Sequence, residues 1–371
     1  MNSLSRRRFL QLTATATGSL IFTSPRALRG APLPAADQGI SFFLIGDTHY
    51  LAAQEKPEIL DDISQGYTTG LIDWLNRLPG QEWPQTVGGG TMPEPAGLIH
   101  AGDLIDSGNA NDPTHLAMQK TEMAAFLADF GLNGGDGRLR WGMREVYGNH
   151  DAPDGKGLVI DTLRERNKGR KGLTKISPNG IHHSWDWGGV HFINVGIVVG
   201  SASPESHHGV YAPLDSLGFL ASDLAESVGN SGRPVIITHH VDVARYSVPM
   251  EDKTRAPKNE WDFADMTAYH DALKGYRVAG IFYGHTHVRR VFPWDGHAPA
   301  APGKAPENPA PAPDGIPVFN TAKASHFNSP AQGFFHFQVT ENQLVAREFA
   351  TKDGWKTGAW TPQVWQFALP A

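Results

Sequence analysis

The chain of 371 residues contains no cysteine. That absence excludes disulfides, thiolate metal sites, thiol nucleophiles and the lipidated cysteine of a lipoprotein. Any metal must therefore be held by His, Asp, Glu or Asn. Charged residues are sparse, at 19%, yet 40% of the chain is hydrophobic, which suits a globular fold with a sizeable core and not a disordered one. Long apolar runs are missing too. The longest uncharged stretch, Trp187 to Pro204, contains His191, Asn194 and several glycines, and reads as buried strand and loop instead of a membrane span. Excess positive charge is also lacking. Of 32 Lys and Arg, five fall in residues 1–36, which hold no acid, so the remainder carries 27 basic against 38 acidic residues, a net of −11. Such a surface repels polyanions, and no nucleic-acid partner is expected.

Residues 1–36 begin with arginines, continue through a modest apolar stretch from Leu12 to Phe22, and end in small residues and prolines. This is the layout of a signal peptide. The run Ser5, Arg6, Arg7, Arg8, Phe9, Leu10 resembles the twin-arginine export signal, with Gln11 where that signal often has Lys. The resemblance implies the twin-arginine translocation machinery as a partner and a periplasmic or secreted destination. The apolar part is too short for a stable membrane anchor, and Arg26 and Arg29 beyond it disfavour one further. Residues 37–371 are then expected to form a single domain.

Within that domain, strand-length apolar runs repeatedly end in Gly followed by Asp, Asn or His. They are ISFFLI (40–45) before GDTH, GLIHA (97–101) before GDLID, REVY (144–147) before GNHD, PVIIT (234–238) before HH, and VAGIFY (278–283) before GHTH. Segments with helical spacing lie between them: 58–78, 114–130, 158–167, 214–228 and 263–273. Alternating strand and helix predicts an α/β architecture whose site lies where loops leave the carboxyl ends of the strands. A glycine pair at 188–189 predicts a hairpin. VRRVFPW and IPVFNT flank a Pro- and Ala-rich insert at 297–314, and GFFHFQV and QLVAREFA predict two C-terminal strands, so a second sheet is expected.

Taken alone, GNHD is readily explained as a turn, because Gly, Asn and Asp tolerate tight backbone. Taken with Asp47 and His49, Asp103, His239, and His285 with His287, it completes a series: DxH, GDxxD, GNH with an acid, a lone His, and GHxH, in that order. This series resembles the calcineurin-like metallophosphoesterase superfamily over roughly residues 40 to 290. The resemblance implies an αββα fold, in which two mixed β-sheets pack as a sandwich flanked by helices. It also implies two divalent metal ions, with Asp103 bridging, Asp47, His49 and His287 completing one site and Asn149, His239 and His285 the other. Two such ions about 3.5 to 4 Å apart can share an attacking hydroxide and neutralise charge at phosphorus. Imidazole and carboxylate suit Mn, Fe or Zn better than Ca. His150 is expected to protonate the leaving alkoxide or to contact phosphate. Asp106 is its expected partner by resemblance, with Asp151 as the alternative or as a turn closer.

Departures from the pattern narrow the substrate. Protein serine/threonine phosphatases of the superfamily usually carry Arg after GDxxD and before GNH, whereas here Ser107, Tyr147 and Gly148 stand there. Neither bidentate phosphate grip is therefore present at those positions. Purple acid phosphatases place Tyr where Asp106 stands. What remains resembles bacterial enzymes acting on small phosphomonoesters or phosphodiesters, cyclic-nucleotide phosphodiesterases included; the reading from a different class is an inactive binding protein on the same fold. The roles of His240, His207 and His208 stay open. His100, His115, His270 and His336 read as structural, as do Trp185 and Trp187.

Twin-arginine export carries folded cargo, and ligands scattered from residue 47 to 287 form a site only on folding. Replacing Arg6 and Arg7 by Lys is expected to leave active, metal-bound precursor in the cytoplasm on cell fractionation. Normal periplasmic yield from that variant would indicate the general secretory route.

Overall fold

Each of the five apolar runs forms a strand, and all five lie in parallel pairings. In the computed structural model, β1 (Ile40–Ile45), β4 (Leu98–His100) and β5 (Met143–Glu145) run side by side in one sheet. β8 (Val190–Asn194), β9 (Val235–Thr238) and β10 (Val278–Tyr283) do so in another. The structure describes residues 39–201, 209–243, 260–296, 315–327 and 331–369. The expected signal peptide at 1–36, the insert at 297–314, His207 and His208 lie outside them.

The first sheet is completed by β13 (Gln332–Val339), β14 (Gln343–Thr351) and β15 (Ala359–Ala368), in the order β15-β14-β13-β1-β4-β5. The second adds β6 (Leu173–Ile176), β7 (His183–Trp187), β11 (Arg290–Trp294) and β12 (Ile316–Asn320), in the order β11-β12-β10-β9-β8-β7-β6. Both sheets mix parallel and antiparallel pairs, as expected. β15 was not anticipated, because its run of Trp, Thr, Pro and Gln lacks a clear apolar alternation and is half-exposed as an edge strand.

Strand alternation divides the core in two. Phe42 and Leu44 of β1 face the second sheet, joined by Phe335 and Phe337 and met by Phe192, Ile236, Phe282 and Phe319. Phe42 meets Phe192 edge-on at 5.2 Å, and the Phe282 and Phe337 centroids lie 4.5 Å apart. Phe43 and Ile45 face outward instead, in a cluster with Leu71, Ile72 and Leu75 of α1 (Asp62–Arg77) and Met123 and Phe126 of α2 (Pro113–Asp129). The helices α3 (Leu158–Gly169), α4 (Ser216–Asp223) and α5 (Phe263–Leu273) complete the outer layers. Packing of the two sheets face to face with helices outside is the αββα arrangement.

Two helix starts differ from the spacing-based expectation. Residues 56–60 form β3, paired with the two-residue β2 (Ala52–Ala53), and α1 begins only after Asp61 caps it by accepting from Ser64 N at 2.9 Å. Leu214 and Asp215 have positive φ, so α4 starts at Ser216. α2 and α5 start where an Asp accepts from the first turn, Asp112 and Asp262 respectively.

Glu145 ends β5 two residues before the GNHD turn and is buried between Arg166 and Arg170. Burial pushes its carboxyl up, but the two guanidiniums outweigh that and hold it well below the usual glutamate range. A depressed folded-state value means stabilisation that is complete above the ordinary carboxyl range and is lost as pH falls below it. Glu145→Ala leaves buried guanidiniums uncompensated and is expected to cost about 3–5 kcal/mol at neutral pH. In chemical denaturation the gap to the wild type is expected to narrow below about pH 4. A gap independent of pH would show that the carboxylate charge is not what holds β5.

Candidate metal centre

All the polar loops that leave these strand ends converge, and their backbones are strained. Among the described residues, eight non-glycine residues have positive φ, and five of them are Asp47, His49, Asp103, His285 and His287. Each such conformation costs on the order of 1–3 kcal/mol and persists only where its surroundings enforce it. Close approach is enforced by glycine. A Cβ on Gly148 would lie 2.2 Å from Asp103 Oδ1, and one on Gly284 would lie 2.5 Å from Asp47 Oδ2. The glycine that opens GNHD is there because the carboxylate of Asp103 occupies the space a side chain would need.

Three clusters of ligand atoms result: two share Asp103, and the third, His49 with Asp106 and His150, shares His49 with the first. Asp47, His49, Asp103 and His287 form the first, and Asp103, His240 and His285 the second. In the first, His49 Nε2 lies 3.1 Å from His287 Nε2 and 3.6 Å from Asp103 Oδ2, and His287 Nε2 lies 3.6 Å from Asp47 Oδ1. In the second, His240 Nε2 is 3.2 Å from Asp103 Oδ2, and Asn149 Oδ1 sits 3.0 Å from His240 Nε2 and 2.7 Å from His285 Nδ1. Asp103 Oδ1 accepts from the backbone N of His150 at 2.8 Å, which leaves Oδ2 facing both clusters.

Of the two adjacent histidines, the structure brings His240, and not the expected His239, to these clusters. Along β9, Ile237 faces the helix-side core and Ile236 the inter-sheet core. Parity sends His239 the way of Ile237, where its ring stacks on Tyr283 at 5.7 Å and meets Trp261 and Tyr269 edge-on. Burial there drives it down to about 3, so it is a neutral core side chain. His240 takes the other face. Its Nδ1–H donates to the Ala101 carbonyl at 2.7 Å, turning Nε2 toward Asp103.

The inward imidazoles of His49, His240 and His285 are fixed from behind, an arrangement that orients metal ligands and sets their tautomers. Asp106 Oδ1 accepts from His49 Nδ1 at 3.1 Å, and the Glu260 carboxylate lies 3.3 Å from His285 Nε2. Glu260 was not foreseen, since it lies 25 residues before His285 and belongs to no motif. Beneath the loops, Gly102 N donates to His100 Nδ1 at 3.2 Å, so His100 Nε2–H donates to Thr48 Oγ1 at 2.9 Å and ties two motif loops together. His182, His183 and His336 are buried and lie apart from these clusters.

His150 and Asp106 meet as expected. His150 Nδ1 donates to the Asp106 carbonyl at 3.1 Å, with Asp106 Oδ1 also 3.1 Å away. Burial lowers the imidazole, but the hydrogen bond to Asp106 and the charge of Asp103 outweigh it and raise it to about 9. Asp151 does something else: its carboxylate accepts from Leu104 N, Ile105 N and Gly148 N and closes the turn. A cavity of about 410 Å³ opens beside His150 and Asp106, bordered by Gln54, Asp61, Asn109 and His115.

These residues fit divalent cations. Asp47 Oδ2 and Asp103 Oδ2 are buried and accept no hydrogen bond, a cost that a cation would remove. Burial works against charge on Asp103, but His240 and His49 more than compensate and hold its carboxyl well below the usual range. Asp103 in turn raises His240 to about 9 against its burial. A proton on His240 thus stands where a cation would, and metal loading would expel it.

The sequence model of the calcineurin-like phosphoesterase family matches residues 40–289, about two thirds of the chain and all the loops described above. No curated protein matches. Among solved structures, a dimetal phosphatase from Danio rerio is 12% identical with a TM-score of 0.51, over 90% of this chain and all of that one. The structure of PhoD is 10% identical with a TM-score of 0.44, over 92% of this chain and 74% of that one. Likenesses at this identity concern the fold, and the family match carries the chemistry. The chain belongs to the calcineurin-like phosphoesterase family and is a metal-dependent phosphoester hydrolase.

Proposed function

We propose that the chain hydrolyses small phosphomonoesters or phosphodiesters with two divalent cations, of Mn, Fe or Zn, after export by the twin-arginine route. The observation that carries the two-cation reading is the sharing of Asp103 Oδ2 between two ligand clusters. Asp47, His49, Asp103 and His287 would hold one cation, and Asp103, Asn149, His240 and His285 the other. A bound pair supplies Lewis-acid charge for the phosphoryl oxygens and a water acidic enough to attack near neutral pH.

The chain's own groups do the rest. Because His150 Nδ1 is engaged by Asp106, Nε2 is the atom left to deliver a proton to the departing oxygen. Asp106 fixes His150 and His49 at once, so proton donor and cation ligand keep a constant relation. The cavity beside them is of the size that takes a small ligand, and its polar border suits an alcohol leaving group.

The direct test is elemental analysis with turnover of p-nitrophenyl phosphate and bis-p-nitrophenyl phosphate, on wild type and Asp103→Asn. Wild type is expected to carry metal and turn over at least one ester, the pair deciding between monoester and diester. Asp103→Asn is expected to lose both metal and turnover. Normal metal and turnover in the variant would contradict a shared carboxylate, and metal without turnover in the wild type would favour a binding protein.

His150→Ala is expected to keep its metal while slowing esters of basic alcohols about 10² to 10⁴-fold, and nitrophenyl esters much less, because a general acid matters most for a poor leaving group. Equal losses across a leaving-group series would assign His150 to phosphate binding instead.

A further inference from the structure

The sequence lacks arginine at the two positions where related phosphatases grip phosphate, and the substitutes do not replace it. Ser107 spends its hydroxyl on Glu122 at 2.8 Å, and the Tyr147 hydroxyl donates to the Ala212 carbonyl at 3.0 Å. A different loop reaches the centre. Residues 321–327, Thr-Ala-Lys-Ala-Ser-His-Phe, follow β12 and belong to none of the motifs. Thr321 N donates to the Tyr283 carbonyl and Ala324 N to the Gly46 carbonyl, each at 3.0 Å. Lys323 is thus pinned between the strand end that precedes Gly284 and His285 and the loop that carries Asp47. Trp355 Nε1 holds the Ala324 carbonyl at 3.1 Å, and Phe327 packs edge-on against His49 at 4.8 Å.

Lys323 is only 1% exposed, and no hydrogen bond or ion pair to its ammonium occurs among the described residues. Asp47 acts on it electrostatically, as it does on His287. In the same loop, His326 Nδ1 is buried without a hydrogen-bond partner. A buried lysine side chain whose ammonium has no bonded counter-charge is costly unless an anion joins it. Once Asp47 is committed to a cation, its charge no longer serves Lys323, and an ammonium beside a cation site needs an anion. A phosphoryl group on the centre is that anion.

We propose that Lys323, with His326 as a second donor, grips the non-bridging oxygens of the phosphoryl group, so that the loop 321–327 supplies the phosphate contacts that arginines supply elsewhere in the family. The inference rests on the phosphoester reading above. The ammonium acts as a point charge and gives a less directional grip than a bidentate guanidinium.

Inorganic phosphate is the probe, titrated calorimetrically into metal-loaded wild type, Lys323→Met and Lys323→Arg, with metal content and thermal midpoint measured on the same preparations. Lys323→Met keeps the packed stem and removes the charge. It is expected to retain its metal and to weaken phosphate binding about 10 to 100-fold, the range for a lost charged hydrogen bond, with Lys323→Arg recovering most of the affinity. Unchanged phosphate affinity in a folded Lys323→Met overturns the inference, and so does loss of metal in its place, which would make Lys323 a charge partner of Asp47 alone. Should that variant fail to fold, His326→Gln, at a half-buried position, carries the test: weakened phosphate binding supports the loop as the grip, and unchanged binding overturns it. A metal-loaded wild type that binds no phosphate overturns the phosphoester reading together with the inference, and that result is visible before any variant is made.

Discussion

The structure turns on one buried carboxylate. Asp103 is 1% exposed, sits at positive φ, and gives one oxygen to the His150 amide while the other faces imidazoles from two clusters. A charge in that position is tolerable only if cations or protons surround it. The strand ends are placed to meet that need. β1 brings Asp47 and His49, β9 brings His240, β10 brings His285 and His287, and the turn after β5 brings Asn149 and His150. The left-handed backbone at five of these residues, and the glycines that let chains approach within contact, follow from crowding so many ligands around one oxygen.

The scaffold makes that crowding repeatable. Phenylalanines from both sheets interdigitate between them, and such contacts fix the strand ends more firmly than a loop-built site could be fixed. Groups behind the ligands then set three of the rings: Asp106 for His49, the Ala101 carbonyl for His240 and Glu260 for His285. His100, neutral because burial brings it down to about 3, bridges two of the loops from below. Asp106 contacts both His49 of the metal centre and His150, so the two are mechanically one unit.

Much of this was legible in the sequence, because strand runs ending in glycine and a metal-seeking residue carry both a fold signal and a chemical one. The α/β alternation and the order of the motifs follow from them, and the sandwich follows from the family resemblance that those motifs carry. Parity at the end of β9 was not legible. His239 and His240 are chemically identical, and which of them faces inward depends on which face of Ile236 and Ile237 meets the other sheet, a tertiary fact. Glu260 and the loop that carries Lys323 lie outside any motif and reach the centre only through the packing of a segment before α5 and a loop after β12. The start of α1 was misjudged because Glu58 to Asp61 share the spacing of the helix while pairing as strand and cap. β15 escaped because an edge strand need not alternate.

Anomalous scattering from crystals grown with manganese measures the central feature directly. Two peaks about 3.5 to 4 Å apart are expected, with Asp103 coordinating both and His240 on the second. A single peak, or two peaks of which one is bound by His239 or lies beyond reach of Asp103, would contradict the shared-carboxylate account.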